Sequence, residues 1–232
     1  MTAKEINELN TRLSGALPGE IIRYFSGLFS EKLAFATSFG AEDQVLTHII
    51  TASKIPVQFF ALDTGRLFPE TYKLLKITSE RYHQQIIVYL PDNNKVQQMV
   101  ESKGENLFYN SIENRKLCCR IRKVEPLKRA LDGMQAWITG LRREQSAERS
   151  KTRLVEWDVE NVLLKINPLA NWSEEQLWQY IREHDIPYNP LHDKNYKSIG
   201  CQPCTRALKP GEDARAGRWW WEHNNNKECG LH

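Results

Sequence analysis

The sequence predicts an α/β fold organised on a parallel sheet, and three repeats of one local pattern carry that prediction. Residues 33–38 (LAFATS), 57–62 (VQFFAL) and 85–90 (QIIVYL) are short apolar runs, and the first two each meet a tight turn and then a helical pattern. Successive units of this kind favour parallel strands joined by right-handed crossovers. At 232 residues and 41% hydrophobic content, the chain is large enough to bury a full core as one domain.

The elements follow in chain order. Thr2 and Glu5 have capping-box spacing, and Ile6, Leu9 and Leu13 recur at helical intervals behind them. A second helix follows Pro18, with Ile21, Tyr24, Phe25 and Leu28 placed on one face; residues 1–30 thus read as a helical leader on the outside of the domain. The first strand then runs into Phe39-Gly40-Ala41-Glu42-Asp43 and a helix carrying Val45, Leu46, Ile49 and Ile50. A strand feeding a helix start leaves backbone N–H groups where anions bind. The second strand runs into Asp63-Thr64-Gly65-Arg66 and a helix from Phe68 to about Arg81. Ligands of open parallel sheets sit at the carboxyl ends of the strands, which selects residues 38–43 and 63–66 as one pocket wall.

Residues 93–114 are polar and low in pattern. In RKLCCRIRKVEPLKRAL, Ile121, Val124, Leu127 and Leu131 have helical spacing, which places Cys118 and Cys119 at or near the start of a helix. Residues 136–139 (AWIT) and 162–166 read as strands, and Ser173 with Gln176 opens another capped helix. Residues 31–190 therefore form the α/β core and 191–232 a C-terminal segment and tail. Asn224-Asn225-Asn226 suggests a flexible link to the last six residues.

Composition narrows the function. A formal charge of +3, with 29 acidic residues among 32 basic ones, does not point to nucleic acid. No stretch approaches the ~18 apolar residues of a membrane span and the N-terminus does not look like an export signal, so a soluble cytoplasmic protein is expected. Its five cysteines are then reduced thiols, available for metal, cluster or redox work.

Four of them form two close pairs, Cys118-Cys119 and Cys201-x-x-Cys204. Number and type suit an all-thiolate metal site. Adjacent cysteines chelate one small ion poorly but can reach two irons of a cubane, so the spacing favours a [4Fe–4S] cluster over zinc, with four unligated thiols as the third reading. Cys229, beyond the Asn run, is either a free tail thiol or a mobile nucleophile whose thiolate is favoured by Lys227 and His232. Lys123, Arg142, Arg143, Arg149, Arg206, Lys209, Arg215 and Arg218 surround these cysteines in sequence, and closing a cluster would bring the 215–218 segment against Lys123. Several guanidinium groups in one pocket fit a phosphate or sulfate ester. Trp219-Trp220-Trp221 reads as packing.

SFGAED, LDTGRLFPETY, CCRIRKVEPL, ITGLRREQSAER, NPLANWSEEQLWQYI, IPYNPLHDKNYKSIGCQPCTR, GRWWWE and the terminal KECGLH together resemble the assimilatory sulfonucleotide reductases, across nearly the whole chain. The two cysteine pairs are similar to the branch that reduces adenosine 5′-phosphosulfate (APS) with thioredoxin. The resemblance implies a Rossmann-like sheet of the adenine nucleotide α-hydrolase type, with Cys118, Cys119, Cys201 and Cys204 on a [4Fe–4S] cluster and Cys229 as the nucleophile. It also implies substrate contacts at Ser38, Asp43, Leu62, Thr64, Lys123, Gly140, Arg149, Arg215 and Arg218, and thioredoxin or glutaredoxin as the transient partner; a homo-oligomer is compatible with it. Phe39 departs from the serine that family members often carry before the glycine of the first turn. Three other readings compete: reduction of the 3′-phosphorylated nucleotide (PAPS), an ATP pyrophosphatase, whose Ser-Gly-Gly-x-Asp-Ser turn residues 38–43 do not match, and a zinc-binding interaction module.

Overall fold

The computed structural model describes residues 1–222. Among them, β1 (Leu33–Thr37), β2 (Gln58–Leu62), β3 (Ile87–Tyr89), β4 (Ala136–Ile138), β5 (Val155–Asp158) and β6 (Leu163–Ile166) form one sheet in the order β3-β2-β1-β4-β6-β5. Every pairing is parallel except β5 with β6. The exception has a local cause: the link between them is a short turn closed by Val162 N–H on the Asp158 carbonyl at 2.8 Å, and so short a link permits only antiparallel neighbours. β5 escapes sequence reading because its four residues, two of them charged, are too few to show alternation.

Side chains alternate along each strand and so feed both faces of the sheet. Leu33 and Phe35 of β1 join Ala136 and Ile138 of β4 in the larger apolar cluster, packed under α1 (Ala3–Arg12), α2 (Pro18–Phe29), α3 (Ala41–Ala52) and α8 (Glu174–Glu183). Ala34, Phe60 and Trp137 point the other way, against Leu127, Ala130 and Leu131 of α7 (Glu125–Leu131). Both expected capping boxes form, Thr2 with Glu5 and Ser173 with Gln176. The face expected for α2 is rotated: Ile21, Ile22 and Phe25 are buried, whereas Tyr24 and Leu28 are exposed.

Between α4 (Pro69–Tyr82) and the cysteine pair, the patternless stretch contains α5 (Asn93–Lys103), capped by Asp92 Oδ1 accepting from Lys95 N–H at 3.0 Å. Only Met99 of this helix is fully buried, which is why no period shows in the sequence. Cys118 and Cys119 lie at the end of α6 (Ile112–Cys119), not at a helix start as expected. The chain then runs through a π turn, Arg120–Val124, straight into α7. Pro126 supplies the reason: it has no N–H to give, and its ring would press on the carbonyl four residues back. The widened turn, in which Glu125 N–H reaches the Arg120 carbonyl, accommodates it.

Connections leave β1 in one direction toward β2 and β3 and in the other toward β4 and β6, so the sheet's switch point lies between β1 and β4. The crevice outside the carboxyl ends of these strands is where such sheets bind ligands.

Candidate functional site

A cavity of about 180 Å³ opens at that switch point. Its inner end is apolar, walled by Ala36, Phe60, Leu62, Leu127 and Trp137, and its rim carries Ser38, Asp43, Thr64 and Gly140. Asp63 and Arg66, expected on the same wall, are elsewhere: Asp63 Oδ1 accepts from Gly65 N–H and Tyr72 OH, both at 2.8 Å, and Arg66 turns toward the cysteines.

The turn after β1 is closed on itself. Asp43 Oδ2 accepts from Ser38 N–H at 2.6 Å and from Ser38 Oγ at 2.7 Å, and Phe39 N–H donates to Thr37 Oγ1 at 3.2 Å. These two amides are taken by the protein's own side chains, whereas α3 itself starts after Gly40 with no side-chain cap hydrogen bond, as expected of a helix start open to an anion. Burial pushes the Asp43 carboxyl up to about 6, against the lowering effect of the Ser38 bonds. Phe39 sits at φ +62°, a left-handed backbone that costs roughly 1–3 kcal/mol in a non-glycine residue. Its ring, 2% exposed, packs against Ala61 and Leu74 and holds it there. Gly140 is required by crowding: a Cβ at that position would overlap the Asp43 carboxylate and lie 2.9 Å from Glu42 Cβ.

A second cavity of about 190 Å³ adjoins the first, sharing Ser38, Gly40, Glu42, Lys123, Gln145 and Arg149 with it, and adds Arg215 and Arg218. Four cations expected around an anion therefore do meet. Gln145 Oε1 accepts from Arg149 Nη1 at 2.7 Å and orients it, a role that no sequence signal marked. Arg215 and Arg218 both reach Ser198 Oγ, at 3.5 and 3.2 Å. Arg218 lies against Gly200, where any Cβ would collide with its guanidinium. Three other cations of the sequence reading have partners of their own, Arg142 within this same cavity. Arg142 Nε pairs with Glu42 at 2.9 Å, Arg143 Nε donates to the Thr152 carbonyl, and Arg206 pairs with Glu212 at 2.7 Å.

Beyond Lys123 lies a third, smaller space of about 20 Å³, lined by all four paired cysteines together with Arg66, Arg115, Arg122 and Lys123. The chain brings the two pairs together through Thr205, which bridges to Arg218, and through Trp219 N–H on the Cys204 carbonyl at 3.1 Å. A buried ion pair locks that segment onto α6: Arg115 donates to both carboxylate oxygens of Glu222, at 2.9 and 3.0 Å, with both side chains almost fully covered. Trp219, 1% exposed, is sandwiched between Arg115 and Arg218, whose guanidinium carbons lie 4.5 and 4.8 Å from its ring, as the packing reading expects.

Burial pushes the Cys204 thiol up to about 12, with Cys201 adding to the rise and Lys123 and Arg218 opposing it. Burial raises Cys118 as well. Thr64 Oγ1 is 3.2 Å from Cys201 Sγ. No group of three or more His, Cys, Asp or Glu side chains is arranged to hold a metal ion among the described residues, and the four sulfurs face a shared cavity instead. On its wall Arg122 Nε is a buried N–H donor without an acceptor among the described residues. Four thiols beside a ring of cations are the donor chemistry of a polynuclear, anionic, sulfur-rich group rather than of one bare ion. Cys229, with Lys227 and His232, lies outside the described residues.

Residues 32–207 match the phosphoadenosine phosphosulfate reductase domain family. A protein of Allochromatium vinosum named adenosine 5′-phosphosulfate reductase is 54% identical over 202 residues, covering 87% of this chain and 79% of its own. One of the same name from Agrobacterium fabrum is 46% identical over 97% of this chain and 86% of its own. Among solved structures, phosphoadenylyl-sulfate reductase from Candida auris in a phosphate complex superposes with a TM-score of 0.77 at 31% identity, over 89% of this chain and 98% of that one.

Proposed function

The chain belongs to the phosphoadenosine phosphosulfate reductase family, and from that premise we propose that it reduces APS to sulfite and AMP with a thioredoxin-type dithiol as electron donor. It is an oxidoreductase of sulfate assimilation. The observation that carries the reading is the junction of an apolar slot with a cluster of cations, Lys123, Arg149, Arg215 and Arg218. Adenine fills the slot at the end of β1, β2 and β4, and the phosphosulfate lies among the cations. Ser38, Asp43, Thr64 and Gly140 shape the rim and Leu62 the apolar wall.

Cys229 is the nucleophile in this proposal. Its thiolate attacks the sulfur of bound APS, the S–O bond to the phosphate breaks, and AMP leaves with the bonding pair. The product on the protein is S-sulfocysteine. A donor thiolate then attacks Cys229 Sγ, sulfite leaves, and the second donor thiol resolves the mixed disulfide. The dithiol supplies both electrons, taking sulfur from the sulfate to the sulfite level. The cations neutralise a polyanion so that an anionic nucleophile can approach it.

Cys118, Cys119, Cys201 and Cys204 would hold a [4Fe–4S] cluster, which when bound supplies a fixed charge distribution beside Lys123. Lys123 lines all three cavities and is positioned from the π turn that follows the cysteine pair.

The test is the intact mass of the protein after incubation with APS and no donor. An added sulfite group, discharged by reduced thioredoxin, is expected; an unmodified mass with APS bound sinks the mechanism. Iron and acid-labile sulfide in equal amounts would support the cluster, and one zinc without sulfide would overturn it.

A further inference from the structure

We infer that Ser198 positions the bound oxyanion: its hydroxyl oxygen gathers the guanidinium groups of Arg215 and Arg218 at one point of the cation cavity, and its hydrogen is left for the ligand. The inference rests on the proposed reading of that cavity as the seat of the phosphosulfate. Ser198, Arg215 and Arg218 all line it. Arg215 Nη1 lies 3.5 Å from Ser198 Oγ and Arg218 Nη1 lies 3.2 Å from the same atom.

The direction of these bonds follows from the groups themselves. A guanidinium has only N–H donors, whereas a serine hydroxyl has two lone pairs and one hydrogen. Both contacts therefore use the Ser198 oxygen as acceptor and occupy its lone pairs. Its hydrogen meets no acceptor among the described residues. The acceptor left for it is one that enters the cavity, and two neighbouring guanidinium groups select an oxyanion for that place.

The parts of this arrangement are anchored. On one side of Ser198, Lys197 pairs with Glu174 at 3.1 Å; on the other, Gln202 N–H donates to the Arg66 carbonyl at 2.8 Å. Gly200 leaves the space that the Arg218 guanidinium fills, and the guanidinium carbon stands 4.8 Å from the Trp219 ring. Arg218 N–H donates to the Arg215 carbonyl at 3.0 Å, which fixes the two arginines relative to each other along the chain. Two like charges drawn to one neutral oxygen repel each other, and an anion placed beside them relieves the repulsion. Ser198 thus holds the pair in the place where an anion is to bind, so less ordering is left to be done when it does.

The experiment titrates AMP into the holoprotein by calorimetry, at several salt concentrations, for wild type, Ser198→Ala, Ser198→Thr, Arg215→Ala and the Ser198→Ala/Arg215→Ala double variant. Ser198→Ala should weaken AMP binding about tenfold to a hundredfold, the range for hydrogen bonds to charged groups. Ser198→Thr keeps the hydroxyl and should restore most of the affinity. The double variant should lose less than the product of the two single losses, because the serine acts partly through the arginine. Affinity should also fall less steeply with added salt in Ser198→Ala than in wild type, since fewer cations engage the phosphate; loosened packing alone would lower affinity equally at every salt concentration. Wild-type affinity in Ser198→Ala, no recovery in Ser198→Thr, single losses that multiply, or an unchanged salt dependence would each overturn the inference. A wild type that binds no AMP sinks the proposed function and this inference with it, whereas AMP binding indifferent to Ser198 sinks the inference alone.

Discussion

Of the three cavities that Lys123 lines, the apolar slot and the cysteine cavity are built on opposite principles. The nucleotide slot is made by the sheet: strand ends supply its apolar walls, Gly140 makes room for Asp43, and the turn after β1 satisfies its own amides. The cysteine cavity gathers charge, with four thiols facing Arg66, Arg115, Arg122 and Lys123, and Arg122 Nε is a buried N–H donor without an acceptor among the described residues. The first is closed by apolar packing. The second sets thiols beside cations, some of which are held from outside it, Arg115 by Glu222 and Arg66 by Glu105. One side is shaped by the sheet and the other by its charges.

The largest effect expected from breaking this pairing is at neither cavity but at the thiol that would serve them. Cys229→Ser should eliminate sulfite release while leaving the visible absorption of the cluster and the binding of AMP unchanged; residual turnover would show that another group attacks the substrate. Next is Arg115→Ala, which strands Glu222 beneath the C-terminal segment. Breaking one partner of a buried ion pair costs about 3–5 kcal/mol, and urea denaturation should show it, with cluster content lost before the sheet melts. Simultaneous loss of both would mean that the two halves are one cooperative unit.

Lys123→Ala removes a group lining all three cavities, so its cost sharpens the comparison rather than breaking it. A drop of about 10²–10³-fold in kcat/KM is expected, as for other single preorganised charge-stabilising donors, with the iron content retained. The smallest effect belongs to the sheet side. The Asp43 carboxyl is pushed up from 3.8 to about 6 in the fold, so the folded chain binds the extra proton between those values. Stability is then fullest below about 3.8 as far as this group is concerned, and is lost as pH rises through about 6. Asp43→Asn should flatten that part of the stability profile, measured by urea midpoints from pH 4 to pH 7; a slope unchanged by the substitution would assign it to other groups.

Much of the sheet side was legible in the sequence. The β1 and β2 runs, the two capping boxes and the helices that follow them appear where periodicity predicts, because each is a local property of a few neighbouring residues. Reading failed where the signal is not local. Tyr24 and Leu28 look like part of the α2 stripe, but Ile21, Ile22 and Phe25 win the core. The cysteine pair looks like a helix start, but Ser111 begins α6 earlier and Pro126 imposes a π turn beyond it.

For the site, residue types in the sequence announced the thiols and the cations but not their pairings. Arg142, Arg143 and Arg206 looked equivalent to Arg149, Arg215 and Arg218, and only the fold sets Glu42, the Thr152 carbonyl and Glu212 against the first three. Gln145 gave no signal, since an amide in a polar stretch is an ordinary surface residue until a cavity forms around it.

The sequence by itself determined the chemistry at hand: two cysteine pairs and a lone cysteine near the end, a surplus of arginine near them, and strand–turn–helix units to carry a nucleotide. Only the tertiary structure decided which cations line a common cavity, which are spent on carboxylates, and that one lysine lines the slot, the cation cavity and the cysteine cavity alike. The physical reason is range. Propensity and capping act within a few residues, whereas an ion pair or a cavity wall joins groups such as Glu42 and Arg142, one hundred positions apart, that meet only after the sheet has closed.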